Sequence, residues 1–254
     1  MKGLLVAIVL GSLLALPLVP RFGQDPTYHD FADQRELLGV PHFWNVVSNL
    51  LLVVVGATGL ARLRRTGVAP DAAITDPRER PAWAALFIGC LLTGLGSSWY
   101  HLDPHTGSLM WDRLLLGVTS VSVGLIVLQE RLSLVWVHRL FWPAVGFALA
   151  SVPWWSITES YGRGDLRPYG WCLAVPCVVV VIGAFLPPRY TGGGALWAAI
   201  GRYAAARGAE VLDDQIMALP LLWSGHTWKH LLAGAAVWVF VRWLSHRRPL
   251  PGPT

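Results

Sequence analysis

The chain is predicted to be an all-α integral membrane protein: a seven-helix transmembrane bundle with an extra N-terminal helix. Three observations predict this. The 254 residues are 54% hydrophobic and only 14% charged, with a mean hydropathy of +0.49, whereas a soluble domain carries about 25% charged residues. The apolar residues gather in runs close to the ~20 residues that a helix needs to cross a bilayer. Fourteen tryptophans suit a chain with two water–lipid interfaces, where Trp collects. A net charge of +5 would suggest nucleic acid in a soluble protein; here arginine-rich loops account for it, and no nucleic-acid partner is expected. Cys90, Cys172 and Cys177 fall inside apolar runs and read as buried thiols, without disulfide or Cys-metal spacing.

Spans are read at 3–20, 41–61, 82–101, 109–129, 136–157, 169–187, 194–212 and 220–244. Residues 1–20 form an N-terminal transmembrane helix or a signal peptide. The stretch Leu16-Pro17-Leu18-Val19-Pro20 offers no small-x-small cleavage site, which favours a retained helix. Residues 21–40 then form an outer loop, 41–245 the seven-helix membrane domain and 246–254 a cytoplasmic tail. The seventh of the eight spans is the least apolar, with Arg202, Arg207 and Glu210; the last two, at i, i+3, read as a self-neutralising pair.

Arginine fixes the orientation. Arg62, Arg64, Arg65, Arg78 and Arg80, then Arg131 and Arg139, Arg189, and finally Arg242, Arg247 and Arg248 all fall on one side if the spans alternate. That side is expected to be cytoplasmic. The opposite loops hold most of the acids, among them Asp25, Asp30, Asp33, Asp103, Glu159, Asp165, Asp213 and Asp214.

On that outer side three histidines stand out. Imidazole is costly in hydrocarbon, so an intramembrane histidine is a functional-site hypothesis by default. His226 and His230 lie four apart in HTWKH, on one helix face. His101 ends the run GLGSSWYH. With the last helix starting near Pro220, all three sit at similar depth. Three histidine ligands leave a zinc ion one open position, as a catalytic site requires. Ser97, one turn before His101, is placed to donate to an oxyanion. Asp112 is placed to take a proton from a zinc-bound water or to orient a ligand histidine. Plainer readings stand beside these: Ser97 as a packing or back-bonded hydroxyl, Asp112 as a dipole-favoured residue of a first helical turn. His105 reads as solvated, His29, His42, His138 and His246 as interfacial, and Asp213 and Asp214 as a solvated turn.

The segments PHFWNVVSNL at 41–50, GLGSSWYH at 94–101, WDRL at 111–114 and HTWKHLLAG at 226–234 resemble the alkaline ceramidases. These belong to a wider superfamily of seven-helix membrane hydrolases that includes the adiponectin-receptor-like proteins. Each motif alone is weak; the set, from His29 to the end of the last span, is specific. YHDFADQR and GDLRPY look most like a bacterial branch, which implies a bacterial inner membrane. The resemblance implies zinc ligation by His101, His226 and His230, with Ser97 and Asp112 as assisting polar groups. The implied reaction hydrolyses the amide of an N-acylated lipid, ceramide or ceramide-like, to a fatty acid and a free amine. Other members carry a calcium site. Here Asp30 and Asp33 stand for two of its acids, but Arg35 falls where the family has asparagine and His42 where it has glutamate. Arginine repels a cation and histidine is a poor calcium ligand, so calcium is not expected to bind.

Two other readings stay open on the sequence. One is a seven-helix receptor or signalling protein with a structural zinc, which requires a fourth protein ligand, Asp112 being the candidate. The other is a transporter, against which stands the absence of internal repeats. Substrate head group, acyl-chain length and oligomeric state have no signature in the chain.

Overall fold

A computed structural model describes residues 2–132 and 134–251. The far end of the tail assigned to 246–254 lies outside the described residues, as does Met1. Among the described residues the chain is helical, without a strand ladder. The helices are α1 (Lys2–Ala15), α2 (Phe43–Ser48), α3 (Leu50–Arg65), α4 (Arg80–Leu102), α5 (Thr106–Arg131), α6 (Leu134–Ser160), α7 (Arg167–Ala184), α8 (Gly194–Val211), α9 (Asp213–Met217) and α10 (Gly225–His246). Asn49 joins α2 to α3 without leaving helical geometry, so Phe43–Arg65 acts as one apolar unit.

Among the described residues five helices are long and apolar enough to cross a membrane: Phe43–Arg65, Pro77–Leu102, Thr106–Arg131, Val135–Ser160 and Arg167–Ala184. α8 and α10 have the length but carry the polar residues: Arg202, Arg207 and Glu210 on one, His226, Lys229, His230 and Arg242 on the other. These two helices pack closely on each other, and α10 also lies along α2 and α3. α5 sits against α4, α6 and α7. α1 leans on α7, where Trp171 donates its indole N–H to Ser12 at 3.0 Å.

Local signals set the helix ends around the site. His105 and Ser108 form a reciprocal capping box at the start of α5. Ser224 caps α10 by accepting the Thr227 N–H at 3.3 Å. α10 therefore starts at Gly225 rather than near Pro220, a correction to the sequence reading. Pro220 is suited to a first turn, but the serine hydroxyl four residues on is what satisfies an orphan N–H. The region 213–219, expected as a loop, forms the short helix α9.

The two ends of the bundle are each tied by their own connections. At one end Thr191 donates its backbone N–H to Arg248 at 2.8 Å, Gln129 reaches the Arg78 carbonyl and Arg62 the Ser245 carbonyl. This is the arginine end. At the other, Leu166 donates to Phe22, Ala32 to Asp213 and Arg35 to Leu222. Residues 22–35 thereby form a strap across the histidine end. Beneath it lies a small apolar cluster of Phe31, Tyr100, Leu109, Val152, Trp155, Leu166 and Tyr169, separate from the main core. Exposed tryptophans ring both ends, Trp99, Trp111 and Trp154 at the histidine end and Trp136, Trp142 and Trp197 nearer the arginine end, as expected where rings meet lipid headgroups.

Candidate metal centre

Two helix pairs build the site, and glycine brings each pair together. A Cβ on Gly96 would sit 2.3 Å from the Trp111 carbonyl oxygen, so only glycine lets α4 touch α5 there. That contact sets Ser97 beside Asp112. A Cβ on Gly225 would sit 2.1 Å from the Ala209 carbonyl oxygen, which seats the first turn of α10 on α8. His226 is the next residue, and His230 follows one turn deeper.

His101, His226 and His230 converge. Their ligand atoms all lie within 4.8 Å of one another. His101 and His226 face each other through Nε2 at 3.3 Å. Two nitrogens on one tetrahedral ion at about 2.0–2.1 Å lie roughly 3.3–3.4 Å apart, so this separation suits a shared ion. The rings are 1–4% exposed. Among the described residues they are the only group of three or more His, Cys, Asp or Glu side chains so gathered. Together they can hold a metal ion. Zinc is compatible with such a donor set without being singled out by it.

One ligand is visibly oriented. Ser48 donates its hydroxyl to the Asn45 carbonyl at 3.2 Å, leaving its oxygen to accept the His230 Nδ1–H at 2.8 Å. That hydrogen bond fixes the tautomer and turns a free Nε2 lone pair toward the cluster, the role a supporting group plays for a metal-bound imidazole. The Nδ1 of His101 is buried without a hydrogen-bond partner among the described residues. A buried polar atom left unpaired costs about 1–3 kcal/mol, while the Nε2 of His101 is the atom turned toward His226.

The supporting shell holds residues that the sequence reading did not single out. Phe31 packs against His101 and His226, tilted to one ring and edge-on to the other with centroids 4.7 and 4.5 Å away, closing the site from the strap. Asp213, read as a solvated turn, bridges strap and helix: it accepts the His226 N–H at 2.6 Å and the Ala32 N–H at 3.1 Å. Thr227 donates to the Asn45 side chain at 2.9 Å, fastening α10 to α2. Glu210 pairs with Arg207 as the spacing suggested, but also with Lys229 at 3.1 Å. The pair is thus a triad tied to the helix that carries two of the histidines.

The other candidate residues fall as follows. Ser97 is buried and, among the described residues, makes no bond back to its own helix; its hydroxyl faces the Asp112 carboxylate. Asp112 is half-buried and has no ion pair among the described residues. Its neighbour Arg113 points away, 4.6 Å over the Trp155 ring and 5.2–5.3 Å over Tyr28 and Tyr169. His105 is exposed and serves the α5 cap. His29 bonds Tyr100 at 2.8 Å, and burial among these neighbours holds its pKa below the ordinary value.

Asp30 is exposed, while Asp33 is buried under a two-pronged Arg35 fork at 2.7 and 2.8 Å. Burial works to raise the Asp33 pKa, and the Arg35 hydrogen bonds outweigh it, so the carboxyl sits below its usual range. His42 enters α2 at φ +45° with its Nδ1 3.2 Å from the Asp33 carbonyl. Arg35 thus lies where a cation would have to bind.

Compared with known proteins, the chain matches no family model, no curated protein and no solved structure. What the site does has to follow from its own geometry.

Proposed function

We propose that this chain is an intramembrane zinc-dependent amide hydrolase of the alkaline ceramidase type. It would act on an N-acylated lipid, ceramide or ceramide-like, and release a fatty acid and a free amine. The observation that carries this reading is the convergence of three buried imidazoles beside the Ser97–Asp112 pair. His101, His226 and His230 would hold the ion. When bound, zinc supplies Lewis acidity and brings the pKa of a water down to about 7.

The chain's own residues do the rest. Asp112, free of an ion-pair partner, takes the proton of the attacking water and returns it to the amide nitrogen as the C–N bond breaks. Ser97 donates its hydroxyl to the negative charge growing on the carbonyl oxygen. Phe31 keeps bulk water off the imidazoles, and Ser48 holds His230 in its ligating tautomer. Water and amide go in; carboxylic acid and amine come out.

In this reading α2 with α3, α4, α5, α6, α7, α8 and α10 make a seven-helix bundle, with α1 as an eighth span. The arginine end faces the cytoplasm and the zinc site lies near the outer face of a bacterial inner membrane. The two least apolar helices are then the ones that face the site, as intramembrane ionisable residues usually do. A structural zinc in a receptor calls for a fourth ligand, and among the described residues none joins the three histidines.

The deciding experiment is turnover of a lipid extract by the purified wild type and by His230→Ala, read by mass spectrometry. Release of a long-chain amine and a fatty acid by the wild type alone is the expected result. Equal release by both proteins sinks the proposal.

A further inference from the structure

The arginine end carries a cavity that amide hydrolysis does not use. Its volume is about 560 Å³, and it lies between α8, α10 and the turn that precedes α8. Arg202, Trp238, Arg242, Trp243, His246 and Arg247 line it, and among the described residues no carboxylate side chain does. Arg247 is already committed: it pairs with Glu79 at 2.7 Å and stacks 4.0 Å over the Tyr190 ring. Arg202 and Arg242 are exposed and have no acidic partner among the described residues.

The seven-helix reading proposed above has α8 and α10 cross the membrane, and on that reading the depth of these two arginines is unusual. Arg202 is eight residues inside the start of α8, about 12 Å from the helix end at ~1.5 Å per residue. An unpaired guanidinium that deep in lipid is strongly unfavourable. Arg202 answers by reaching back along its helix: its Nη1 donates to the Ala198 carbonyl at 2.9 Å, one turn nearer the end, the snorkelling posture of a long cationic side chain. Arg242 lies four residues inside the end of α10, about 6 Å in. The two charges therefore meet at one level, just below the bilayer surface, with Trp238 and Trp243 as the apolar walls. Two forks at one depth, a cavity without a carboxylate and indole walls call for a phosphate oxyanion carried on an apolar molecule.

We propose that this cavity holds the phosphodiester headgroup of an anionic phospholipid from the leaflet at the arginine end, bridged by Arg202 and Arg242. The lipid is favoured over free phosphate because the charges lie at bilayer depth. Its acyl chains would run along the exposed faces of α8 and α10, past Trp197 and Trp238. Since those two helices also carry His226, His230 and the Glu210–Lys229 pair, a bound lipid would brace the helix pair that supports the metal centre.

The test uses the full chain in discs of phosphatidylcholine doped with phosphatidylglycerol, released into mild detergent and weighed by native mass spectrometry. Wild type should retain one phosphatidylglycerol. Arg202→Gln and Arg242→Gln should each lower that retention about fivefold, the effect of one arginine at a charged surface. Arg64→Gln, an exposed arginine at the same end, should retain it fully. The charge-keeping Arg202→Lys, Arg242→Lys pair should hold most of it, which separates a lost site from a misfolded protein. Retention unchanged in the double glutamine variant overturns the site. A rise in Tm with inorganic phosphate or soluble glycerophosphoglycerol equal to that with phosphatidylglycerol overturns the lipid as its source.

Discussion

At the arginine end, Glu79 is buried and each of its oxygens is taken: Arg247 holds one at 2.7 Å, Tyr190 the other at 2.6 Å, with Thr75 beside it at 3.2 Å. At the histidine end, three imidazoles are buried just as deeply, yet among the described residues only His230 has a side-chain partner other than a fellow histidine within hydrogen-bond reach. Both clusters are polar, buried and built from distant parts of the chain. A network whose opposite charges are paired is architecture, because removing a member leaves a charge stranded, even though the Arg247 Nε has no partner among the described residues. One that gathers three imidazoles within reach of a single ion can hold a metal. The contrast is between a paired ionic network and a set of donors open to a ligand.

The largest expected effect breaks the contrast at the histidines. His226→Ala or His230→Ala should empty a site that otherwise holds about one zinc per chain, measured by plasma mass spectrometry on purified protein, and should abolish amide turnover. Full zinc occupancy in the double alanine variant would falsify the metal assignment. At the arginine end, Glu79→Ala strands Arg247 and should destabilise the fold by about 3–5 kcal/mol, seen as a lowered Tm in detergent. The protein that remains folded should keep its metal. Metal loss in step with unfolding of that variant would mean that the two clusters are not independent.

Next in size come Ser97→Ala and Asp112→Asn. Each should keep the metal and lose on the order of 10²–10³ in rate, and the double variant should lose much less than the product of the two. If Asp112→Asn strips the metal, Asp112 is a ligand and the structural-zinc reading takes over. Ser48→Ala is subtler. Losing the group that orients a ligand histidine typically weakens metal binding by ~10–100-fold, so competition with a chelator should distinguish it from wild type while Ser98→Ala, whose hydroxyl bonds the Val46 carbonyl instead, should not.

The histidines were legible in the sequence because imidazole inside an apolar run has few other uses, and alternation of the spans put His101, His226 and His230 on one side. Their supporting shell was not legible. A serine in an apolar helix usually bonds back to its own turn, as Ser122 does to Val118 and Ser48 to Asn45, and nothing local shows that the Ser48 oxygen also meets His230, 182 residues on. Phe31 and Asp213 act through contacts with partners far along the chain, which spacing cannot show. The membrane character was plain from composition, yet α8 and α10 fall short of the apolarity of the other long helices because they carry charge and imidazole. The start of α10 does carry a local signal, since Ser224 is a favoured N-cap residue, but Pro220 offers a competing one as a first-turn residue.

The smallest effect concerns the turn before α7, which anchors the strap through the Leu166–Phe22 hydrogen bond and where ions are paired outside the site rather than within it. Asp165 holds Arg167 in a fork at 2.7 and 2.8 Å, and Arg167 in turn donates to the Val19 carbonyl at 2.8 Å just beyond α1. The Arg167 hydrogen bonds lower the Asp165 carboxyl from an ordinary 3.8 to about 2. A carboxyl whose pKa is depressed by folding adds stability above its unfolded value and loses it as pH falls through the folded one. The gap in Tm between wild type and Asp165→Asn should therefore be fully open above about pH 5 and close as pH drops from roughly 4 toward 2. Asp33 and Asp76, which also sit below their ordinary range, titrate alike in both proteins and cancel in the difference. A gap that stays constant down to pH 2 would show that Asp165 supports the strap by packing and not by charge. The ionic description of that region would then fail, while the metal centre beneath it would be untouched.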